Sequence, residues 1–204
     1  MTKVTQAHID ARTADILRAA KAVIHRKGAE AATMQDVATE AGLSAGAIYR
    51  YFPGKDELLR QVVQHLIGEH EALFGRAALG AATPLDGLLN VGRAVTVDCD
   101  HDFVVGNLES IVAGARDKTT AEAGRLVRER AIGLIAEQIA AAQGAGQIDR
   151  AFEPHLLGTV LFCLTTGFGA VAVALGDGMD PEATWSVAEE MIRRLAPKEN
   201  AAHE

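Results

Sequence analysis

The sequence predicts an all-α fold in which a small N-terminal helix-turn-helix domain precedes a larger helical domain. The chain has 204 residues, of which 49% are hydrophobic and only 5 are proline, so long helices and a substantial core can form. No stretch keeps up the alternation of β-branched residues that is typical of strands. Residues 33–55 contain two short capped helical patterns joined at Gly42. That arrangement is typical of a helix-turn-helix.

The first predicted helix spans residues 10–27. Ile16, Ala20, Val23 and Ile24 recur at helical spacing and give this helix one apolar face. Gly28 is expected to end it, because glycine tolerates the positive φ that helix ends often require.

The second predicted helix begins after Thr33, whose hydroxyl can accept a hydrogen bond from a first-turn N–H group. Asp36 follows three residues later and completes a pattern that resembles a capping box. Gly42 stands where the chain has to reverse, and Leu43 is expected to lie between the two helices. The third predicted helix starts at Ser44 and ends in the cluster of residues 49–52.

The exposed side of this third helix has the properties of a surface that reads DNA. Small side chains let a helix approach base edges closely in a major groove. The residues that follow can donate hydrogen bonds to phosphate. The small residues are Ser44, Ala45 and Ala47, and the donors are Tyr49, Arg50 and Lys55. A helical hairpin that only packs against the rest of the chain would show the same spacing.

Charge is divided unevenly along the chain. Residues 1–60 contain 9 Lys+Arg and 7 Asp+Glu, a net charge of +2. Since the whole chain contains 20 and 27, the remainder contains 11 and 20, a net charge of −9. An acidic protein of this kind cannot bind DNA through its bulk charge. Binding requires a locally basic module, while the acidic body opposes non-specific adhesion.

Further helices are predicted beyond the helix-turn-helix. One spans residues 55–78, and others follow Pro84 and Asp102, span residues 119–143, and begin near Pro154 and at Pro181. The tail of residues 198–204 is expected to be frayed.

A stretch of 21 residues without charge, Leu156–Gly176, is the most distinctive feature of the second half. Its length and apolarity would admit a transmembrane helix. No Lys or Arg stands close to either end, however, and its glycines and threonines dilute its apolarity. An all-round apolar helix in a soluble protein packs on its own domain with one side and needs a partner with the other. We therefore expect it to form a dimer interface with the helix that starts at Pro181.

Other classes of protein are disfavoured. The two cysteines, Cys99 and Cys163, do not suggest a disulfide framework, and no apolar signal segment follows a basic N-terminus, so a cytoplasmic location is expected. Residues 98–102, DCDHD, resemble a metal-binding cluster, but neighbouring residues rarely converge on one ion, and an acidic loop explains them as well. No catalytic motif is present, and neither an enzyme nor a cofactor is expected.

Residues 13–59 resemble the N-terminal domain of the tetracycline-repressor (TetR) family of bacterial regulators. The resemblance rests on Arg26-Lys27-Gly28, Asp36-Val37-Ala38, Ala41-Gly42-Leu43-Ser44, Ile48-Tyr49, Tyr51-Phe52 and Lys55-Asp56-Glu57-Leu58-Leu59. It implies a DNA-binding domain over residues 1–56 and a helical ligand-binding and dimerisation domain over residues 57–204. The implied DNA contacts are Thr33, Ser44, Gly46, Ala47, Tyr49, Arg50 and Lys55. Ala45 stands among them where the family often has a basic residue, so one phosphate contact is expected to be missing.

The resemblance also implies a ligand pocket in the larger domain without saying which residues line it. The candidates are His70, Phe74, Phe103, Asn107, Phe162, Cys163 and Thr166. Ordinary core packing would explain the aromatic residues, and a solvated face would explain the polar ones.

The function implied is that of a transcriptional regulator, usually a repressor, that binds double-stranded DNA as a homodimer. A small-molecule effector, apolar or mixed in character, would release it. Two alternatives remain open at this stage. One is a DNA-binding protein whose larger domain docks a protein partner, and the other is an enzyme with a vestigial DNA-binding head.

Overall fold

The computed structural model describes residues 6–99 and 101–197, and these residues are helical with no strand among them. The all-α prediction is therefore confirmed. The predicted frayed tail of residues 198–204 lies outside the described residues. The helices are α1 (Gln6–Lys27), α2 (Met34–Glu40), α3 (Ala45–Ile48), α4 (Lys55–Ala78), α5 (Pro84–Thr96), α6 (His101–Arg116), α7 (Lys118–Gly144), α8 (Pro154–Leu175) and α9 (Pro181–Arg193), with a 3₁₀ turn at Gly176–Gly178.

Capping residues and prolines determine where the later helices begin. Pro84, Pro154 and Pro181 each lie in the first turn of a helix, where a missing N–H group costs nothing. The Glu153 carboxylate caps α8 by accepting hydrogen bonds from two backbone N–H groups. α3 is shorter than predicted. It is a single turn, because the N–H groups of Arg50 and Tyr51 bond three residues back, which tightens the chain.

The described residues form two compact units. The first unit contains the chain up to Gly68 together with Glu109–Val127, and the second contains Glu69–Leu108 and the chain from Arg128 onwards. The boundary therefore passes through α4, α6 and α7. The predicted division into functional domains at residue 57 stays a prediction.

The core of the first unit is built by α1 to α4. All four residues of the predicted α1 stripe are buried, and they pack with Val37 and Ala38 of α2. The two largest side chains near α3, Ile48 and Phe52, lie in the same core. This packing fixes the position of a helix too short to be stable alone.

The core of the second unit places Trp185 of α9 against α5. The Trp185 side chain is only 4% exposed. A Cβ atom added to Gly92 of α5 would overlap Cη2 of that indole. Gly92 therefore allows the two helices to approach with the indole between them.

We expect the substitution Gly92→Ala to lower the free energy of unfolding by about 1–3 kcal/mol, the usual range for overpacking. This loss outweighs the roughly 1 kcal/mol that alanine gains over glycine in a helix. Denaturation followed by the fluorescence of the single tryptophan would measure the change. The matched control is Gly75→Ala in α4, where no atom lies within 4 Å of the added Cβ. Equal midpoints for the two variants would contradict this account of the packing.

α8 is the helix with the largest exposed apolar surface. Only 17% of its most apolar window is buried, and by length and composition alone Pro154–Gly178 could cross a membrane. Its buried residues are Gly158, Leu161 and Gly169. The opposite side, which we call the α8 face, consists of Leu156, Val160, Cys163, Leu164, Val171 and Leu175. α9 adds exposed Val187 and Met191.

Candidate nucleic-acid interface

The turn between α2 and α3 has the geometry of a helix C-cap closed by glycine. Gly42 has φ of 66°, in the left-handed region. Its N–H group bonds the Thr39 carbonyl at 3.2 Å, and the Leu43 N–H group bonds the Ala38 carbonyl at 2.8 Å. Both carbonyls of the last turn are thus satisfied. Leu43 packs against the core of the first unit, as predicted.

The predicted capping box at the start of α2 is confirmed. The Asp36 N–H group bonds the Thr33 hydroxyl at 3.1 Å, and the Thr33 N–H group bonds the Asp36 carboxylate at 3.0 Å. Lys27 donates a further hydrogen bond to Asp36 at 2.7 Å. The Lys27 ammonium, followed by the Thr33 side chain and N–H group, lowers the pKa of Asp36 from 3.8 to about 2.

The depressed pKa of Asp36 predicts a pH dependence of stability. The folded state holds the ionised carboxylate, so its contribution is fully present above the unfolded pKa of 3.8 and is lost as the pH falls toward 2. Between pH 5 and 2, the melting temperature of the wild type should therefore fall further than that of Asp36→Asn. Circular dichroism melts across this range measure the difference. Parallel curves for the two proteins would show that the box contributes nothing to folding.

Two ion pairs hold the C-terminal end of α1 against α2. Arg26 bonds Glu40 at 2.6 Å, and Lys27 bonds Asp36 at 2.7 Å. Sequence reasoning missed both pairs, because partners on different helices have no periodic spacing that would reveal them. Together with the buried core, they fix α2 relative to α1.

α3 is anchored on one side and open on the other. Ile48 is 0% exposed and Phe52 is 1% exposed, as expected for the inward pair. Ser44 caps the helix by accepting a hydrogen bond from the Ala47 N–H group at 3.2 Å. Tyr49 is 52% exposed, and Arg50 is also exposed. The buried pair therefore presents a phenol and a guanidinium to solvent from a rigid support.

Lys55 differs from Tyr49 and Arg50 in having a partner within the chain. Its ammonium donates a hydrogen bond to the Glu30 carbonyl at 2.5 Å. An ammonium has three donors, so two remain for a phosphate. Sequence reasoning identified Lys55 as a phosphate donor but missed this contact with the turn between α1 and α2.

The other predicted contact residues lie along one short stretch of the first unit. Thr33 and Ser44 are exposed, but each uses its hydroxyl to cap a helix. Gly46 is exposed, whereas Ala45 and Ala47 are half-buried. The assignment of all eight residues to DNA binding stays a prediction.

The seven predicted ligand-pocket residues lie in the second unit with different degrees of burial. Phe74 belongs to the core of that unit, and Phe162 packs against it. His70, Phe103 and Thr166 are half-buried, and Asn107 is exposed. α6 and α8 meet closely where Val104 lies 2.9 Å from the Cβ position of Gly169. Cys163 belongs to the α8 face, so it points away from that contact.

No group of three or more His, Cys, Asp or Glu side chains among residues 6–99 and 101–197 could hold a metal ion. The cluster at residues 98–102 includes Asp100, which lies outside the described residues.

Comparison with known proteins identifies the first unit. Residues 16–62 match the family described as bacterial regulatory proteins, tetR family. An uncharacterised HTH-type transcriptional regulator of Bacillus subtilis, YfiR, is 48% identical over 62 residues, which cover 30% of each chain. The transcriptional repressor KstR of Mycobacterium tuberculosis is 37% identical over 73 residues, 36% of this chain and 33% of KstR. The chain thus matches about a third of the length of these relatives.

The fold of the chain has a wider match among solved structures. The regulator FadR from Bacillus subtilis, crystallised in complex with stearoyl-CoA, superposes with a TM-score of 0.65 at 18% identity. The superposition covers 88% of this chain and 96% of FadR. At this identity the likeness concerns the fold alone. With its capped helix-turn-helix and the matching residues 16–62, the chain belongs to the TetR family of bacterial regulatory proteins.

Proposed function

We propose that this protein is a ligand-responsive transcriptional repressor that binds a palindromic DNA operator as a homodimer in the cytoplasm. One observation carries the proposal: α3 presents exposed Tyr49 and Arg50 from a support fixed by buried Ile48 and Phe52. A guanidinium held in this way can bond base edges in a major groove or phosphates beside it. The relatives named as transcriptional regulators support the same role.

The α8 face supplies the reason for a homodimer. Six side chains, none of them charged, stay exposed along one side of a helix in a single chain. A second copy of the same helix would cover them, as in a two-fold interface. Two recognition helices held one DNA turn apart, roughly 34–36 Å, would then read two halves of a palindrome.

The effector is proposed to be an apolar or mixed small molecule bound in the second unit. FadR, which shares the fold, binds stearoyl-CoA, and this supports a ligand of that character. The proposed pocket residues are the seven predicted above. Release would follow if the ligand binds better to the conformation in which the two recognition helices are wrongly spaced.

In-vitro selection from random duplex DNA tests the proposal directly. The wild type should enrich a short palindrome, and the double variant Tyr49→Ala, Arg50→Ala should enrich none. Adding long-chain acyl-CoA thioesters, and then a wider metabolite panel, to the selected complex tests release. Enrichment of sequences without two-fold symmetry would contradict a dimer, and no enrichment would contradict sequence-specific binding.

The α8 face also favours a second candidate, a DNA-binding protein whose larger domain docks a different protein. Sedimentation of the purified chain separates the two. A dimer in the absence of any other protein supports the repressor, and a monomer supports the docking protein. A chain that associates with phospholipid vesicles would instead make α8 a membrane segment.

A further inference from the structure

The turn between α1 and α2 is bonded on both of its sides, and this links Lys55 to a distant part of the chain. On one side the Glu30 carbonyl accepts the hydrogen bond from the Lys55 ammonium. On the other side the Glu30 N–H group donates to Oδ2 of Asp117 at 3.2 Å. Asp117 lies between α6 and α7, 87 residues away in sequence, and all three residues belong to the first unit.

A second hydrogen bond strengthens the contact between this corner and the turn. The Ala29 N–H group donates to the Thr120 hydroxyl at 2.7 Å, and Thr120 is only 5% exposed. Asp117 also accepts a hydrogen bond from the Thr120 N–H group at 2.6 Å, which caps the start of α7. Burial would raise the pKa of Asp117, but its hydrogen bonds with Thr120 and with the Glu30 N–H group lower it, so the carboxylate stays ionised.

The backbone of the turn is shaped for this contact. Gly28 has φ of 82°, and its Cβ position would lie 3.1 Å from the Asp117 Cβ atom. Only glycine combines this backbone conformation with so close an approach. Beside the contact is a partly open cavity of about 330 Å³, lined by Lys27, Gly28 and Arg116 among others. Because packing is incomplete there, the hydrogen bonds are what position the turn.

We propose that Asp117 and Thr120 are positioning residues for operator binding. Through the turn at residues 28–30 they fix the carbonyl that holds the Lys55 ammonium, so that its remaining donors are placed for a DNA phosphate. The proposal rests on the DNA-binding function proposed above. Since α6 and α7 both continue into the second unit, it also names a route by which the state of those helices can reach the DNA-contacting surface.

The variant Asp117→Asn separates the positioning role from helix capping. A neutral amide has one acceptor oxygen, so it can satisfy the Thr120 N–H group or the Glu30 N–H group but not both. Thr120→Val removes the acceptor for the Ala29 N–H group, and Thr120→Ser retains it. Thr119→Val is the matched control, because Thr119 is an exposed neighbour in the same turn.

The experiment is a double-mutant cycle on the selected operator, measured by fluorescence anisotropy between 50 and 300 mM salt. We expect Asp117→Asn and Thr120→Val each to weaken binding about 3- to 10-fold, the usual range for a coupled positioning residue. The salt slope should fall by about one, as after loss of a single phosphate contact. In a Lys55→Met background, Asp117→Asn should have no further effect, while Thr120→Ser and Thr119→Val should bind like the wild type.

Three results would overturn the proposal. Unchanged affinity in Asp117→Asn and Thr120→Val would show that the link does not reach the DNA. Effects of Asp117→Asn and Lys55→Met that multiply in full would show that the two residues act independently. Tighter binding in Asp117→Asn would show that the Glu30 carbonyl competes with phosphate for Lys55. Failure of the wild type to bind any operator would overturn the proposed function itself, and circular dichroism melts of each variant exclude simple unfolding.

Discussion

Replacing Leu164 with glutamate is expected to convert the protein into a monomer and to remove tight operator binding. Leu164 is 54% exposed and lies in the middle of the α8 face. A carboxylate placed there in both chains would lose its hydration on association and face its own copy. We expect a cost of roughly 2–4 kcal/mol, the scale of an interface hot spot, which is about a 30- to 1,000-fold rise in the dimer dissociation constant.

Sedimentation velocity at micromolar concentration measures this directly, and anisotropy on the palindrome measures the consequence. Because two linked recognition helices gain roughly 100- to 10,000-fold in avidity over one, the operator affinity should fall steeply with the dimer. The control is Leu79→Glu, which makes the same change at a leucine that is 84% exposed outside α8 and α9. It should remain dimeric. A Leu164→Glu protein that also stays dimeric would place the interface elsewhere.

Replacing Arg50 with alanine is expected to weaken operator binding by about 1–3 kcal/mol, the scale of a good base contact. Arg50 is exposed immediately after the short α3, and the buried Phe52 beside it fixes the backbone from which it extends. If the guanidinium reads a base, the loss should be confined to operators that contain that base. If it contacts a phosphate, all sequences should weaken equally and the salt slope should decrease by about one.

Arg60→Ala is the matched control for this prediction. Arg60 is an exposed arginine on α4 whose guanidinium is already bonded to the Glu57 carboxylate, with Nε at 2.9 Å from Oε2. Its replacement should leave the operator affinity within about twofold of the wild type, as expected for an exposed ion pair of small net value. Wild-type affinity in Arg50→Ala and Tyr49→Ala together would contradict the assignment of α3 as the recognition helix.

Local chemistry explains why the helices could be predicted from the sequence. Thr33 and Asp36 three residues apart, Gly42 after an apolar run, and prolines at the first turn of three helices each act within a few residues. Such signals survive in almost any tertiary context. α3 was predicted too long because a one-turn helix tightened by i→i−3 bonds has no periodicity of its own.

Contacts between distant residues were outside the reach of this reasoning. Glu30 and Asp117 meet through a backbone N–H group, which every residue except proline carries, so no residue type marks the pairing. The approach of Gly92 to Trp185 is hidden for a related reason: a glycine inside a helix looks like a weakness until its neighbour is known. The proposed pocket suffers most, because its residues come from several helices and their side chains are of types that cores also use.

The exposed α8 face ties the durability of this protein to its abundance. If the face is covered only when two chains meet, unfolding separates one particle into two, and each tenfold dilution lowers the free energy of unfolding by about 1.4 kcal/mol per dimer. A cell that makes little of the protein would then hold chains that are both unable to grip DNA and easier to degrade. Occupancy of the operator would fall off more sharply at low expression than simple mass action on the DNA predicts.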